Sequence, residues 1–263
     1  PPVLPPAARP IMRPCMRRFL FRTHIWLAWL VGVPLLFWTV SGLVMTALPI
    51  DEVRGAHLRR PASDPPLATL TAPLVAPETL LRRAGPGGDS LTLRWLAGRP
   101  VWELRGGGEP MALFDARTGA PLRLDAAIAA ALARSRHAGG AAVRAVERVD
   151  PAAPPLDFRR DTPAFRVRFD DRERSIFYLD ARNGDLLAVR TDRWRLFDLM
   201  WGLHIMDLKG REDMNHPTLV AFAALSALSV AAALALLWAR TAAQRHARRP
   251  RPGGGAVAPA ATD

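Results

Sequence analysis

The chain has 263 residues, a single cysteine and a formal net charge of +12. This length allows one or two modest domains, and one cysteine excludes an intrachain disulfide. A basic chain suggests nucleic-acid binding, but the excess of positive charge is concentrated in the two tails and no basic face interleaved with aromatic residues is present. The sequence therefore predicts no nucleic-acid partner.

Two uncharged apolar runs, at residues 25–50 and 218–239, decide the class of protein. A helix needs roughly 20 apolar residues to cross a hydrocarbon core of about 30 Å. We therefore predict transmembrane helices over 23–50 and 216–240, with membrane lipid as a partner. The first run exceeds the apolar core of a cleaved signal peptide, so we expect it to remain as an anchor.

The basic residues beside these runs predict the orientation in the membrane. Before the first run the charged residues are all arginines: Arg9, Arg13, Arg17, Arg18 and Arg22. After the second run only Asp263 opposes the arginines Arg240, Arg245, Arg248, Arg249 and Arg251. The positive-inside rule then makes 1–22 and 241–263 cytoplasmic basic tails and places residues 51–217 on the outer side.

The middle region contains one phrase twice, as FDARTGAPL at 114–122 and LDARNGDLL at 179–187. Asp115 and Asp180 are 65 positions apart, a spacing that favours a duplicated small domain. We predict that each aspartate ends a strand and that Gly119 or Gly184 supplies the positive φ of a tight turn. The alternative is a ligand loop, but turn chemistry accounts for every residue of the phrase.

Each copy of the phrase follows a helix signal and alternating strands. The helix signals are APETLLRRAG at 76–85 and LDAAIAAALARSRHAGG at 124–140, and alternation is clearest in LTLRWL and FRVRF. We predict an α+β fold with a linker over 51–73. Two tandem units follow, 74–124 and 125–192, each a helix and then three strands.

A helix followed by antiparallel strands that close on a D-A-x-x-G turn resembles the PepSY domain. Two such units between transmembrane helices resemble the PepSY-associated membrane protein family, and FRTHIWLAWLVGVPLLFWTVSGLV at 21–44 is similar to its first helix, with His24 and Ser41-Gly42. The resemblance implies a bacterial inner-membrane protein with residues 51–217 in the periplasm. Larger relatives carry four or more membrane helices, so this two-span form is expected to make a homodimer or to join a membrane protein partner.

Four histidines are candidate haem ligands: His24, His57, His204 and His216. His24 lies at membrane depth, where an ionisable side chain suggests function. The stretch RWRLFDLMWGLHIMDL at 193–208 predicts an amphipathic juxtamembrane segment over 193–215. Its predicted apolar face consists of Phe197, Met200, Trp201, His204 and Leu208.

The length of the first helix limits how these histidines can pair. At 1.5 Å per residue, about 36 Å separates His24 from the outer histidines, so they cannot share one iron within a monomer. A haem b in one chain would use His204 with His216 or His57, whereas in a dimer each chain would contribute His24. No C-x-x-C-H, H-E-x-x-H or zinc-type spacing is present, so we predict no metal site.

A membrane collar is the competing interpretation of WGLHIMDLKGREDMNHP at 201–217. In that case Gly210 ends the surface helix and Asn215 caps the second span. In the ligand interpretation Asp207, Glu212 and Asp213 support the histidines or offer metal oxygens.

Three functions remain open at this stage. The resemblance implies an accessory or haem-linked electron-transfer component of iron- or siderophore-related membrane redox. The alternatives are a non-catalytic periplasmic interaction module, and a domain that inhibits or regulates a protease or chaperones a partner. No nucleophile–base pair or paired-carboxylate motif is recognisable in the middle region, and whether the protein is an enzyme is left open.

Overall fold

A computed structural model describes residues 14–61, 64–84 and 86–247, so most of the two predicted basic tails lies outside it. Some side chains of the long terminal helices, including that of His24, also lie outside the described part. Two compact units are present. The first comprises residues up to Val40, His204–Asp207 and the chain from Glu212 onward; the second comprises Ser41–Leu203 and Leu208–Arg211.

Six helices are found in the described residues, and two of them exceed 30 residues. They are α1 (Pro14–Ala47), α2 (Ile50–Val53), α3 (Pro77–Ala84), α4 (Ala126–Arg136), α5 (Asp192–His204) and α6 (Pro217–Ala247). Short 3₁₀ turns cover Ala56–Leu58 and Leu67–Thr69.

The apolar character predicted for the first span is confirmed in length and composition. Within α1, Ala28–Ala47 is long and apolar enough to cross a membrane, with a mean hydropathy of 1.8. In α6 the described apolar stretch, Pro217–Ala231, is shorter than a span. Pro217 is the first residue of α6, where a missing backbone N–H breaks no helical hydrogen bond.

Two four-stranded antiparallel sheets form the second unit, with strand orders β1-β2-β3-β4 and β5-β6-β7-β8. The first contains β1 (Ser90–Leu96), β2 (Arg99–Gly106), β3 (Glu109–Asp115) and β4 (Pro121–Leu122). The second contains β5 (Val143–Val149), β6 (Ala164–Phe169), β7 (Ile176–Asp180) and β8 (Leu186–Arg190). The predicted α+β class is confirmed. Each sheet has one strand more than predicted, because the D-A-x-x-G turn folds the chain back along the strand before it.

A helix precedes each sheet, as the sequence signals predict. In α4 the Asp125 carboxylate caps the first turn by accepting a hydrogen bond from the Ile128 N–H at 2.8 Å. Leu132 and its neighbours Ala129 and Ala133 are buried. This apolar face holds α4 against the strands.

The largest apolar core draws on both sheets. Leu96, Val101 and Leu113 of the first sheet belong to the same buried cluster as Phe165, Val167, Phe169, Phe177, Leu179 and Val189 of the second, together with Leu132 of α4. The two halves of the repeat therefore share a hydrophobic core.

The first part of the segment predicted as a linker is docked against the second half of the repeat. Val53 is buried, the Arg60 N–H donates to the Arg136 carbonyl at 2.7 Å, and the Ala138 N–H donates to the Leu58 carbonyl at 2.9 Å. Gly55 has φ +68°, and a Cβ there would lie 2.5 Å from Val189. These close contacts with the second half of the repeat order the stretch. A composition rich in Pro and Arg does not reveal them.

Candidate functional site

The two D-A-x-x-G turns have the same backbone geometry. Asp115 and Asp180 end β3 and β7, and each accepts a 2.8 Å bond at its carbonyl from the N–H of Gly119 or Gly184. The glycines have φ of +70° and +80°. The Asp115 carboxylate accepts the N–H groups of Thr118 and Arg117, and these bonds hold its pKa below the ordinary value. These contacts all lie within the turn.

The second turn also makes contacts that the first does not make. Asn183, at the position of Thr118 in the first copy, donates from its amide to Glu103 of β2 at 3.0 Å. Glu103 is only 2% exposed, and it also pairs with Arg94 at 2.9 Å and Arg105 at 3.0 Å. Arg94 bridges to Asp185 at 2.8 Å. A buried carboxylate is thereby satisfied by groups from both sheets.

The candidate haem ligands fall in different surroundings. His57 belongs to the second unit, and its Nε2 lies 2.8 Å from a Glu173 carboxylate oxygen. His204 and His216 belong to the first unit. His216 immediately precedes α6 and contacts the Thr218 hydroxyl through Nδ1. The side chain of His24 is outside the described residues, although its backbone is part of α1.

His204 is held in a defined orientation by Trp38. The two rings are stacked, with centroids 5.0 Å apart and planes 19° apart. His204 Nδ1 lies 3.1 Å from the Trp38 carbonyl oxygen. Because a carbonyl only accepts hydrogen bonds, Nδ1 carries the proton of this contact.

An apolar groove of about 520 Å³ lies beside Trp38, between α1 and α6. Trp38 and Met206 form part of its wall, and the other lining residues include Leu35, Leu219 and Phe222. Ser226 Oγ in the same wall is buried and has no hydrogen-bond partner within the described residues. The groove has the size and lining of a small-molecule site and suits a largely apolar ligand that carries a polar group.

The segment after α5 differs from the prediction in where its helix ends and in which residue precedes α6. The helix ends at His204 and not at Gly210, and Leu208 lies beyond it and is 54% exposed. His216, and not Asn215, precedes α6 and accepts the N–H groups of Leu219 and Val220 at its carbonyl. The apolar periodicity predicted a helix that runs past its actual end. The break comes at Met206, whose left-handed backbone, with φ +58°, leaves no signal in the periodicity.

The role of Asp207, Glu212 and Asp213 as supports of the histidines stays a prediction. The Asp207 carboxylate accepts the backbone N–H groups of Glu212 and Asp213 at 3.2 and 3.4 Å. It thus shapes the loop before α6. In residues 14–61, 64–84 and 86–247, no three His, Cys, Asp or Glu side chains are grouped as ligands of a metal ion.

Sequence reasoning missed a buried His137–Asp171–Ser175 cluster. His137 is 2% exposed, and its Nε2 lies 3.1 Å from Asp171, which also accepts the Ser175 hydroxyl at 2.5 Å. The Gly139 N–H donates to His137 Nδ1 at 3.1 Å. The serine bonds, together with the His137 contact, outweigh burial and lower the pKa of Asp171. The only signal in the sequence is a histidine at a helix end before Gly-Gly.

The order of these contacts is unsuited to nucleophilic catalysis. The carboxylate stands between the hydroxyl and the imidazole, and His137 Nδ1 already accepts a backbone N–H. No imidazole lone pair is directed at the Ser175 proton, as acyl transfer would require. This cluster ties the loop after α4 to the turn before β7.

Comparisons with known proteins give no family at this point. No family model matches the chain, and neither the curated proteins nor the solved structures provide a match. The resemblance to PepSY-associated membrane proteins therefore stays a prediction.

Proposed function

We propose that this protein is a membrane-anchored, PepSY-type accessory component of iron- or siderophore-related redox that binds haem b at His204. The observation that carries the proposal is the hydrogen bond from His204 Nδ1 to the Trp38 carbonyl. Histidines that bind a metal commonly donate their other ring N–H to a carbonyl or carboxylate, which fixes the ring and raises the basicity of the ligating nitrogen.

The groove beside Trp38 supports the same assignment. Its wall is apolar and aromatic, as a porphyrin face requires, and the buried Ser226 hydroxyl can be satisfied by a polar group of the ligand. Haem, when bound, supplies one-electron chemistry. The contribution of the chain would be an oriented imidazole at His204 and a wall that excludes water. The second ligand would come from His216 or from another copy of the chain.

The proposed topology follows the charge pattern. We place α1 and α6 across the bacterial inner membrane, both tails in the cytoplasm and residues 51–217 in the periplasm, with a homodimer or a membrane protein partner completing the assembly. Support comes from the apolar Ala28–Ala47 helix and the arginines flanking both apolar runs. Cysteine-accessibility labelling from each side of the membrane tests this placement.

Haem content of the full-length protein in detergent tests the binding site. The protein from haem-replete cells should carry haem, and His204→Ala should lose it. His57→Gln is the matched control and should retain haem, because Nε2 of His57 is paired with Glu173. Loss in His216→Ala identifies the second ligand, whereas loss in His24→Ala indicates a site shared between chains. Equal haem content in wild type and His204→Ala would contradict the assignment.

A non-catalytic interaction module remains the second candidate function. The observation that favours it is that the buried His137–Asp171–Ser175 cluster is used for structure. Such a module would regulate or inhibit a protease, or chaperone a partner. Wild-type protein without haem that slows a periplasmic protease would favour this candidate. Haem-containing protein without effect on proteases would favour the first.

A further inference from the structure

The internal repeat leaves one edge of β3 uncovered in its first copy. β8 has five residues and pairs with four residues of β7, whereas β4 has two residues and pairs only with Leu113 and Phe114 of β3. By the 65-residue spacing of the repeat, Met111 corresponds to Ile176, which β8 covers. A bulge in the pairing with β2 passes over Met111, so among the described residues it has no partner in either neighbouring strand. On the β4 side, the edge of β3 is open from Ala112 back to the start of the strand in the described part of the chain.

A cavity of about 400 Å³ lies at this open edge. Met111, Ala112 and Leu113 line it on the side of β3, and Arg123 and Leu124, which follow β4, line it as well. The cavity belongs wholly to the second unit. At about 3.3 Å per residue, an extended segment would need about four residues to cover the open part of β3.

The open edge of β3 has the properties of a site for an extended peptide. An uncovered strand offers backbone N–H and C=O groups to such a peptide. In the second copy of the repeat a strand does lie at this position, since β8 occupies it there. Met111, which is 51% exposed, adds apolar surface to the cavity. The edge thus combines main-chain partners with an apolar contact for side chains.

The charge of the cavity indicates which peptides would fit. Three of its lining residues are arginines: Arg123, Arg148 and Arg182. Arg182 is neutralised by Asp180 at 2.7 Å and Glu109 at 2.9 Å. Arg123 and Arg148 are exposed and form no ion pair with any residue that the structure describes. The cavity therefore carries an excess of positive charge beside the open edge.

We propose that this cavity binds an extended, acidic segment of a partner protein, which lies beside β3 as β8 lies beside β7. Main-chain pairing would supply part of the affinity, and the arginines would select for aspartate and glutamate. The same arginines would repel a second copy of this edge, so a partner of opposite charge fits better than self-association. The proposal goes beyond haem binding and does not depend on it.

The test uses the full chain in detergent and measures peptide binding by fluorescence anisotropy at constant ionic strength. The probe is a short labelled peptide in which valine and glutamate alternate. One control peptide has lysine in place of glutamate, and another is methylated on alternate backbone nitrogens, so that it cannot donate to a strand edge. Arg123→Gln and Arg148→Gln test the site, and both side chains are exposed, so the fold should be kept. Arg144→Gln is the matched control, because Arg144 is an exposed arginine of the same strand as Arg148 and does not line the cavity.

We expect the glutamate peptide to bind wild type and Arg144→Gln equally well. Arg123→Gln and Arg148→Gln should each weaken binding about 3-fold, because an ion pair with an exposed arginine contributes modestly, and the double variant should weaken it about 10-fold. Both control peptides should bind more weakly than the glutamate peptide.

Three results would overturn the proposal: no binding by wild type, equal binding of either control peptide, or equal binding by wild type and the double variant. The arginines would then serve only to keep the edge of β3 from pairing with other chains. Haem content is measured on the same samples, so failure of this proposal is told apart from failure of haem binding.

Discussion

Asn183 is predicted to matter far more for stability than its counterpart in the first copy of the repeat. Asn183→Thr converts the second turn to the sequence of the first, DARTG, and removes the amide bonds to Glu103 at 3.0 Å and to Asp185 at 2.8 Å. A hydrogen bond to a charged group contributes about 1.5–3 kcal/mol. The bond to Glu103 is buried, so its whole contribution to stability is counted. Asp185 is 44% exposed, so the contribution of its bond is reduced for solvent screening.

The expected loss in the free energy of unfolding is therefore about 2–4 kcal/mol, which corresponds to a fall in Tm on the order of 10 °C. Thermal unfolding of the full-length protein in detergent, followed by circular dichroism, measures it. Thr118→Ala is the matched control at the equivalent position of the first turn. Thr118 is exposed, and its hydroxyl bonds only within its own turn, to Asp115 and Ala120, so we expect a loss below about 1 kcal/mol.

A double variant tests whether the effect passes through Glu103. In Glu103→Gln the charge is lost, and the added Asn183→Thr change should then cost less than it does alone, because the two side chains share one bond. If Asn183→Thr is as mild as Thr118→Ala, the reasoning is refuted. The two sheets would then be held together by their shared apolar core without a contribution from the polar network.

Three further outcomes are expected. Gly184→Ala should lower the free energy of unfolding by about 1–3 kcal/mol more than Gly98→Ala, because both glycines have positive φ but only a Cβ at position 184 would meet Leu132, at 2.8 Å. Equal losses in denaturant titrations would argue against close packing at Gly184. The folded-state pKa of Asp171 is lowered from 3.8, so its contribution to the free energy of unfolding is present above pH 3.8 and is lost as the pH falls through the folded-state pKa. Asp171→Asn should therefore make stability depend less steeply on pH in the acid range. An unchanged dependence would count against this. Tyr178 is the only tyrosine, and burial beside Asp157 raises its pKa well above 10. Tyrosinate absorbance should therefore appear only as the protein unfolds in alkali. Ionisation near pH 10 while the circular dichroism is still native would contradict the burial of this side chain.

Local sequence signals predicted the elements of the fold well. Asp125 as a helix cap, the alternation of Phe165, Val167 and Phe169, and the repeated aspartate–glycine turn are short-range features whose physics is complete within a few residues. The fourth strand of the first sheet was missed because a two-residue strand, Pro121–Leu122, has no periodicity. It exists only because the turn returns the chain to β3.

Long-range contacts were the part that sequence could not provide. The pairing of Glu103 with Asn183 joins residues 80 positions apart, and the stacking of Trp38 on His204 joins residues 166 apart. His204 was selected for its chemistry, but its orientation depends on a backbone carbonyl, which every residue has.

The most direct test of the central claim is the absorption spectrum of purified full-length protein, oxidised and then reduced with dithionite, beside His204→Ala. The account predicts a stoichiometric Soret band in the wild type that shifts on reduction and is absent from His204→Ala. A wild-type spectrum without a Soret band, from cells replete with haem, would contradict haem binding and leave Trp38 and His204 as a structural contact.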